Sequence, residues 1–515
     1  KKNQLLCARD HFGVKPFYYS LSKDSFVFGS TPAAILASGR FPPLINEARI
    51  ADHLVAPLEG LDKTSSLYKD VYRLPPAHML IVRAGGMTLE RYWEFCPTAQ
   101  AGMKTDDDYL EAFRELLTES VRCRLRDVTV PAAMLSGGMD SSAIVGMGRK
   151  ILAEEGQCLH ALAIISNSPD TNRETSYISS VLDQGSVHPH LISGTELIQQ
   201  VGGLTRAIEL EAEPFDCLMN LNRAVYLHAR ERGINSLLDG VDGDVLLSNS
   251  GHLTALWRQG AFGTIIGETI RADGLTAEYK MQKRLLLNSL LSALTPIAPD
   301  WLRKLRWHHR YGRAAESGIG DSIIDREFAI NSRLGERLST LDSHSPRSHS
   351  FAQMDAHRIA LEHPFLTVGL ERYERVASSL GVEARHPFID VRLAEFCLGL
   401  PWQLKTRHGW TKMILRRAME PYLPSKVIWR RDKDSLMWEV NRMVLKERAE
   451  YFYQITCDER AYLKPYVDLP KLMKFWQEYL TLGDETHAVL IWSGVALAMW
   501  LRRHRNMLVS LRDNL

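Results

Sequence analysis

The sequence predicts an α/β protein in two parts, a β-rich segment over residues 1–97 and a parallel-sheet domain over residues 105–515. In the first part, short strand patterns are separated by turns, and Gly85-Gly86 between two of them is a hairpin signal. In the second part, apolar strand patterns alternate with helical patterns, which is typical of βαβ units and a mostly parallel sheet. A linker-like stretch at 97–102 marks the predicted boundary.

Each predicted element rests on a local pattern. The strand patterns of the first part cover residues 5–8, 16–20, 25–29, 79–82 and 87–93. In the second part, Thr105 and the three acids after it predict a helix N-terminus. Strands of the parallel sheet are predicted at 128–135, 160–166, 188–192 and 236–239, with helices at 141–154, 174–182 and 218–232. Residues 249–348 are amphipathic and helical, and we interpret them as an insertion.

Charge and cysteine usage exclude several function classes. The 515 residues include 63 Lys and Arg against 61 Asp and Glu, so the net charge is +2. This balance favours neither nucleic acid nor an anionic membrane as partner. Seven scattered cysteines without a CxxC pair argue against a zinc ribbon or a disulfide framework and favour a reducing compartment, so we expect a cytoplasmic protein. No apolar run approaches the length of a membrane span.

A glycine-rich turn after the strand predicted at 128–135 carries the first chemical signal. It runs Met134-Leu-Ser-Gly-Gly-Met-Asp-Ser-Ser142. Two adjacent glycines let the backbone come close to an anion, and the helix that follows offers free N–H groups. Ser136, Ser141 and Ser142 add hydroxyl donors, while Asp140 is placed to hold Mg²⁺. The turn is not a Walker A loop, and a strand–helix turn that simply needs glycine is the alternative.

This turn resembles the pyrophosphate loop of N-type ATP pyrophosphatases, which cleave ATP between the α and β phosphates. The resemblance implies a parallel sheet of the adenine nucleotide α-hydrolase type. It assigns ATP binding to Leu135, Ser136, Gly137, Gly138, Asp140, Ser141 and Ser142. In such proteins the second strand lines the adenine pocket, and Ile164 falls on the matching position; a plain core residue is the alternative for it.

A second glycine-rich turn, Asp239-Gly-Val-Asp-Gly-Asp244, follows the strand predicted at 236–239. It resembles the stretch Ser-Gly-Glu-Gly-x-Asp-Glu of asparagine synthetases, which closes over ATP. Gly240 matches, Asp239 replaces the usual Ser, and both are assigned to ATP binding. Asp244 matches the acid that holds Mg²⁺ together with Asp140, with a helix N-terminal cap as the alternative. Val241 replaces the Glu that the family ties to the aspartyl-AMP intermediate.

Two later stretches continue the resemblance to asparagine synthetases. Gly381 to Asp390 resembles the family's Glu-x-Arg-x-Pro-Phe-Leu-Asp, with Glu383 and Arg385 as substrate candidates on one face of an extended segment. A structural ion pair is the alternative for these two. A later run resembles the family's Trp-Arg-x-Lys, whose Lys stabilises charge as pyrophosphate leaves. Lys433 is the candidate, one residue late, and Arg430 or Arg431 could share its role.

The first part resembles the later half of the N-terminal (Ntn-type) glutaminase domain of the same family, through the stretch from Ala8 to Tyr19. In that family an N-terminal Cys releases ammonia from glutamine. The positions of the nucleophile and of its supporting residues lie upstream of this stretch, so we interpret the chain as N-terminally truncated and expect no glutamine hydrolysis from it. Cys7 does not match the nucleophile, and we expect a buried core residue.

The resemblance implies an ATP-dependent amide-forming ligase of the asparagine synthase (glutamine-hydrolysing) type. A carboxylate such as aspartate is activated as an acyl-AMP with Mg²⁺ present, and ammonia from glutamine then forms the amide. Catalysis is assigned to Asp140, Asp244 and Lys433. Two alternatives stay open: a macrolactam or lasso-peptide cyclase or β-lactam synthetase, and a non-catalytic nucleotide-binding paralogue. We allow for a homodimer, but the sequence identifies neither the oligomeric state, nor the acceptor, nor the role of the insertion.

Overall fold

The fold is described from a computed structural model of the chain. The described residues are 4–55, 58–97, 103–166, 173–210, 213–248, 252, 256, 259–265, 268, 322–343, 353–408, 410–430 and 436–513. Arg431, Lys433, most of the linker at 97–102 and most of the insertion predicted at 249–348 lie outside them. Within that insertion, Ile323 and Ile324 are fully buried in the main hydrophobic core.

The β-rich part contains two small antiparallel sheets. Their strand orders are β1-β5-β6 and β3-β2-β4, with β1 (Gln4–Ala8), β2 (Tyr18–Leu21), β3 (Phe26–Gly29), β4 (Tyr72–Arg73), β5 (His78–Arg83) and β6 (Gly86–Arg91). The predicted hairpin is confirmed one residue earlier, since Arg83 pairs with Gly86 across the turn. Two short helices, α1 (Pro32–Leu36) and α2 (Glu47–Leu54), connect the strands. Cys7 is buried on β1, and burial raises the pKa of its thiol.

The second part is built on a five-stranded parallel sheet of order β11-β10-β7-β8-β9. Its strands are β7 (Ala132–Met134), β8 (Leu159–Ile164), β9 (Val187–Ile192), β10 (Ser236–Leu238) and β11 (Glu383–Arg385). The predicted α/β class with a parallel sheet is therefore confirmed. Strand β7 is shorter than the predicted 128–135, because Pro131 has no N–H to donate to a neighbouring strand.

Hydrophobic cores lie on both faces of this sheet. On β8, Leu162 and Ile164 belong to one core, and the alternating residues Ala161 and Ala163 belong to the other. Since successive side chains of a strand point to opposite faces, the sheet is covered on both sides, as parallel sheets generally are. Because both faces of the sheet are covered, the residues from Ala161 to Ile164 of β8 are buried and aliphatic.

Helices supply that cover. Before the insertion they are α3 (Asp106–Arg124), α4 (Met139–Glu154), α5 (Arg173–Leu182), α6 (Gly194–Gln199), α7 (Val201–Glu209), α8 (Asn220–Glu231) and α9 (Gly243–Leu246). The later ones are α10 (Arg326–Asn331), α11 (Leu334–Ser343), α12 (Gln353–Leu361), α13 (Pro364–Ser379), α14 (Val391–Gly399), α15 (Trp402–Lys405), α16 (Met413–Ala418), α17 (Ser425–Ile428), α18 (Leu436–Glu447), α19 (Ala449–Asp458), α20 (Arg460–Leu463), α21 (Leu469–Leu482) and α22 (Ala488–Asp513). A short hairpin, β12 (Thr406–Arg407) with β13 (Trp410–Thr411), precedes α16. None of the described helices is both long and apolar enough to cross a bilayer.

A buried ionic cluster joins the two parts, and we call it the interface cluster: Arg9, Arg73, Asp216, Glu371 and Arg375. Arg9 and Glu371 form an ion pair of 2.5 Å, and Arg73 and Arg375 approach the other carboxylate oxygen of Glu371 at 3.6 and 3.5 Å. Arg375 also pairs through two nitrogens with Asp216, at 2.8 and 2.9 Å. No member is more than 5% exposed. The cluster connects β1 and β4 to α13, so it fixes the β-rich part against the parallel-sheet domain.

Candidate functional site

The two glycine-rich turns meet at the carboxyl ends of neighbouring strands. Strands β7 and β10 pair in parallel through Ala133 and Leu238, so the turns that follow them emerge at the same edge of the sheet. A Cβ atom on Gly240 would lie 2.5 Å from the backbone nitrogen of Ser141, which no side chain tolerates. Glycine at this position therefore lets one turn pack directly on the first turn of α4.

The first turn presents backbone N–H groups at a helix start. Helix α4 begins at Met139, two residues before the predicted start, so Asp140 and Ser141 lie in its first turn. Gly137 has a φ of +77°, and a Cβ there would lie 2.9 Å from the carbonyl oxygen of Glu174. The Ser141 hydroxyl accepts a hydrogen bond from the backbone N–H of Ser136 at 3.1 Å. This hydrogen bond fixes the turn next to the N–H groups at the start of α4, an arrangement suited to an anion.

The side chains assigned to ATP binding are not equally accessible. Ser136 is exposed, whereas Ser141 and Ser142 are buried. The Ser142 hydroxyl has no hydrogen-bond partner among the described residues, and it faces the core. Leu135 and Ile164 are buried at the ends of their strands. The Ser136 hydroxyl and backbone groups are therefore the parts of the turn that a nucleotide can contact. The buried side chains pack beneath the turn and support it.

Four aspartates gather above these strands, and we call them the carboxylate cluster: Asp140, Asp239, Asp242 and Asp244. The ammonium of Lys412 lies 2.5 Å from Asp140 Oδ2 and 2.5 Å from Asp244 Oδ1. The two oxygens can thus be no more than 5.0 Å apart, the sum of these distances. Burial lowers the pKa of Lys412, but the two carboxylates outweigh burial and raise it above its ordinary value. One cation therefore joins the acids of both turns.

The other two acids of the cluster lie deeper. Asp239 accepts a hydrogen bond from the backbone N–H of Val241 at 3.1 Å, and its Oδ1 lies 2.9 Å from Nδ1 of His386. Burial lowers the pKa of His386, and Asp239 outweighs that effect, so the pKa is raised. Burial is also the main cause that raises the pKa of Asp242 to about 7; His386 opposes it and the other acids add to it. Among the described residues, the cluster thus has more carboxyl groups than basic groups.

Arg430 supports the first turn from behind. Its guanidinium donates to the carbonyl oxygen of Gly137 at 2.6 Å and forms a two-nitrogen pair with Glu174 at 2.8 and 2.5 Å. It also lies 4.1 Å from the ring centroid of Tyr177. Arg430 is buried and bound to these groups, which makes it a positioning residue for the turn. The charge-stabilising role assigned to Lys433 stays a prediction, since Lys433 is outside the described residues.

Glu383 and Arg385 lie on one face of β11, as predicted, and they form an ion pair at 2.8 Å. Arg385 also donates to the carbonyl oxygens of Arg124 and Arg126, both at 2.9 Å. Glu383 is shared with Lys15 of the β-rich part at 3.2 Å. These contacts match the structural alternative for the pair, and their contact with a substrate stays a prediction.

Lys412 is the functional residue that sequence reasoning missed. Residues 411–419 have a helical pattern that includes Lys412, but Lys412 has a φ of +56° and lies immediately before α16. A positive charge at a helix N-terminus opposes the helix dipole, and a non-glycine residue at this φ is uncommon. The placement of Lys412 is therefore explained by its two carboxylate partners. The unfavourable position of a lysine at a helix start is the signal that could have identified it.

The donor set at this edge of the sheet fits Mg²⁺. Asp140 and Asp244 supply hard carboxylate oxygens from two different turns, and a single cationic atom already lies within contact distance of both. Carboxylates are the protein ligands through which Mg²⁺ is usually bound beside phosphates. The residues predicted for a metal are thus brought together by the fold.

Comparisons with known proteins match both parts of the chain. The family model of asparagine synthase matches residues 112–502, and that of a glutamine amidotransferase domain matches residues 1–93. The asparagine synthetase [glutamine-hydrolyzing] 3 of Bacillus subtilis is 25% identical over 452 residues, which cover 84% of this chain and 64% of the relative. The carboxyethyl-arginine beta-lactam-synthase of Streptomyces clavuligerus is 24% identical over 83% of this chain and 61% of the relative.

A third relative widens the range of chemistries among similar proteins. The amidase chry2 of Gibberella zeae is 23% identical over 477 residues, which cover 83% of this chain and 66% of the relative. The chain thus spans less than two thirds of the length of each of these three relatives.

Proposed function

The chain belongs to the asparagine synthase family, and on this premise we propose that it is an ATP-dependent amide-forming ligase. The single observation that carries the proposal is the meeting of Asp140 and Asp244, from two glycine-rich turns, around one cationic atom. Acids from two loops beside a helix N-terminus suit a metal-bound polyphosphate better than a purely structural role. We take aspartate as the first carboxylate to test, because relatives are named asparagine synthetases.

The reaction we propose has two steps. An oxygen of the substrate carboxylate attacks the α-phosphorus of ATP, the bond between the α-phosphorus and its bridging oxygen breaks, and pyrophosphate leaves. An amine nitrogen then attacks the acyl carbon, loses a proton, and AMP leaves with the acyl oxygen. Mg²⁺ held by Asp140 and Asp244 would neutralise negative charge on the phosphates.

The chain's own residues position and neutralise the phosphates. Backbone N–H groups at the start of α4 bind phosphate oxygens. Lys412 supplies positive charge at the edge shared by the two turns, where charge develops as pyrophosphate leaves. Arg430 holds Gly137 in place through its carbonyl oxygen, and Lys433 is a second candidate cation.

A second candidate reaction is closure of an amide within one substrate, as in the relative named a beta-lactam synthase. Val241 favours it, because valine has no hydrogen-bonding group with which to hold free ammonia or the aspartate ammonium. The buried pair of Asp239 and His386 beside Val241 supplies the polar groups that remain for an incoming amine. Under this reading the amine belongs to the activated substrate itself.

ATP–pyrophosphate exchange with Mg²⁺ tests the proposal. We expect exchange with at least one carboxylate substrate, and aspartate with ammonia should yield AMP if the product is asparagine. Lys412→Met should abolish exchange, while Lys150→Met, an exposed lysine on α4, should leave it unchanged. Full exchange in Lys412→Met, or no binding of Mg²⁺-ATP by the wild type, would contradict the proposal.

A further inference from the structure

Three histidines form a cluster on the sheet, away from the nucleotide turns. His160 lies on β8, and His188 and His190 lie on the neighbouring strand β9. In the parallel register, His160 pairs with His188 and Leu162 pairs with His190. Because residues two apart on a strand share a face, all three imidazoles project from the same side of the sheet. We call this group the histidine cluster.

The imidazoles are close enough to share one ion. One ring nitrogen from each of the three residues lies within 4.8 Å of the other two, and Nδ1 of His160 is 2.9 Å from Nε2 of His190. Ring centroids lie 4.9 to 5.1 Å apart. Tetrahedral zinc with Zn–N bonds of 2.0–2.1 Å requires ligand nitrogens about 3.4 Å apart. His188 is exposed, so rotation of its side chain can bring its ring nitrogen to this shorter distance from the other two nitrogens.

The electrostatic setting of the histidine cluster favours neutral rings. Burial lowers the pKa of His160, and His188 adds to that effect. Burial also lowers the pKa of His190 to about 4, with contributions from His160, His188 and the charge of Arg232. Burial thus favours the neutral form of both rings, and neutral imidazole is the form that ligates metals. Arg232 is the positive charge that acts against a bound cation here.

We propose that His160, His188 and His190 form a binding site for a borderline transition-metal ion, with Zn²⁺ as the expected occupant. Neutral imidazole suits Zn²⁺, Cu²⁺ and Ni²⁺, whereas Mg²⁺ prefers oxygen ligands. His160 binds through Nδ1 and His190 through Nε2. The ion replaces the hydrogen bond between these two nitrogens, so the ring that donates in it moves its proton to its other nitrogen when metal binds. Three protein ligands at a partly exposed place leave the fourth coordination position of the metal for water, as in open zinc sites.

This site is separate from the carboxylate cluster. His160 is four residues before Ile164 on β8, so the two lie about 13 Å apart along the strand. The histidine cluster lies toward the amino ends of its strands, and the glycine-rich turns follow the carboxyl ends. Bound metal would join β9, which forms one edge of the sheet, to its neighbour β8. We therefore expect stabilisation of this edge, with no change in the nucleotide chemistry.

Metal titration of the 515-residue chain, first stripped with chelator, tests the proposal. Co²⁺ should give the visible absorption of a tetrahedral site at one equivalent per chain, Zn²⁺ should displace it, and Zn²⁺ should raise Tm. His188→Ala with His190→Ala should lose this equivalent, and His188→Ala alone, at an exposed position, should weaken it without affecting folding. Arg232→Gln should strengthen binding, since it removes the opposing charge.

Matched variants make the outcome decisive. His78→Ala, another strand histidine, should keep the site, and so should Cys158→Ser, which removes an exposed thiol two residues before His160. Binding that survives the double histidine variant, or that disappears in Cys158→Ser, would overturn the assignment. Mg²⁺-dependent exchange should be the same in the double variant and the wild type, which separates this proposal from the proposed ligase activity.

Discussion

The interface cluster and the carboxylate cluster are both ionic, but they differ in burial and in charge balance, since the Asp244 side chain of the carboxylate cluster is 69% exposed. In the interface cluster, Arg9, Arg73 and Arg375 surround Glu371. Arg375 is also paired with Asp216 and lies 3.6 Å from Glu213, so three arginines meet three carboxylates. Every carboxylate there has a guanidinium beside it. In the carboxylate cluster, four aspartates share Lys412 and His386. Among the described residues, the acids of the first region are matched by guanidinium groups, whereas the acids of the second region outnumber its basic groups.

This difference separates a structural ionic cluster from a binding site. Removing a partner from a balanced buried cluster leaves an uncompensated charge, so such a cluster is expected to affect stability when changed. A cluster with too many carboxylates is more stable once it binds a cation, so it is expected to affect ligand binding and catalysis. Variants in the two regions should therefore give opposite patterns of stability and activity.

The largest effect is expected from Glu371→Ala in the interface cluster. Three arginines would lose their shared carboxylate, and breaking a buried pair costs about 3–5 kcal/mol. The free energy of unfolding, from denaturant titration, should fall by that amount. Glu362→Ala removes a half-exposed ion pair with Arg91 between the same two parts and should cost no more than about 1 kcal/mol. Equal losses in the two variants would remove the distinction that we draw.

Asp140→Asn should affect catalysis rather than folding. An amide carries no charge to bind Mg²⁺ or balance the triphosphate, so exchange should fall by roughly two to three orders of magnitude. The melting temperature should stay close to that of the wild type, in contrast to Glu371→Ala. Asp107→Asn, an exposed acid on α3, is the control and should leave exchange unchanged. Normal exchange in Asp140→Asn would contradict the assignment of the first turn.

His53 extends the comparison to a buried group that is held neutral. It lies between the β-rich part and α22, where its Nε2 is 2.9 Å from the carbonyl oxygen of Ser493. Burial lowers the pKa of His53 to about 4. The unfolded chain therefore binds more protons between pH 6.5 and 4, and stability falls as the pH drops through this window, by up to about 1.4 kcal/mol per pH unit.

His53→Asn should remove that pH dependence. Denaturation midpoints of the wild type and the variant, measured at pH 7 and pH 5, should converge as the pH falls. A constant difference between the two proteins over this window would show that His53 does not titrate as the structure indicates.

Val241→Glu should have the smallest effect and the most informative one. If the enzyme makes asparagine, a Glu in this turn should raise aspartate-dependent pyrophosphate release by up to about tenfold, or roughly 1.4 kcal/mol. At the least, it should not lower this release. Val241→Gln controls for size without charge. If neither the wild type nor Val241→Glu forms AMP with aspartate and ammonia, the intramolecular reaction replaces asparagine synthesis as the leading candidate.

The sequence was sufficient for the elements whose signal is local. Strand and helix periodicity located β8, β9, α4 and α8 to within a few residues, and the glycines of both turns marked where the chain passes closest to itself. Gly240 is the clearest case, since its neighbour Ser141 leaves no room for a side chain. Such positions can be predicted because the requirement lies in the residue itself.

Contacts between distant segments could not be predicted in the same way. His386 meets Asp239 across 147 positions because β11 pairs with β10, and no pattern near either residue shows that strand order. Lys412 reaches Asp140 across 272 positions, from a backbone conformation that helix periodicity does not indicate. The interface cluster is similar, with 362 positions between Arg9 and Glu371.

The sharing of Glu371 by three arginines also constrains how such a chain can diverge. A change at position 371 removes the carboxylate that three buried arginines share, and a change at any one arginine shifts the charge balance for the others. Positions 9, 73, 371 and 375 should therefore be inherited as a set, with joint replacements far commoner than single ones among descendants. Val241 has no such partners, so the substrate can change in a lineage while the docking of the two parts stays the same.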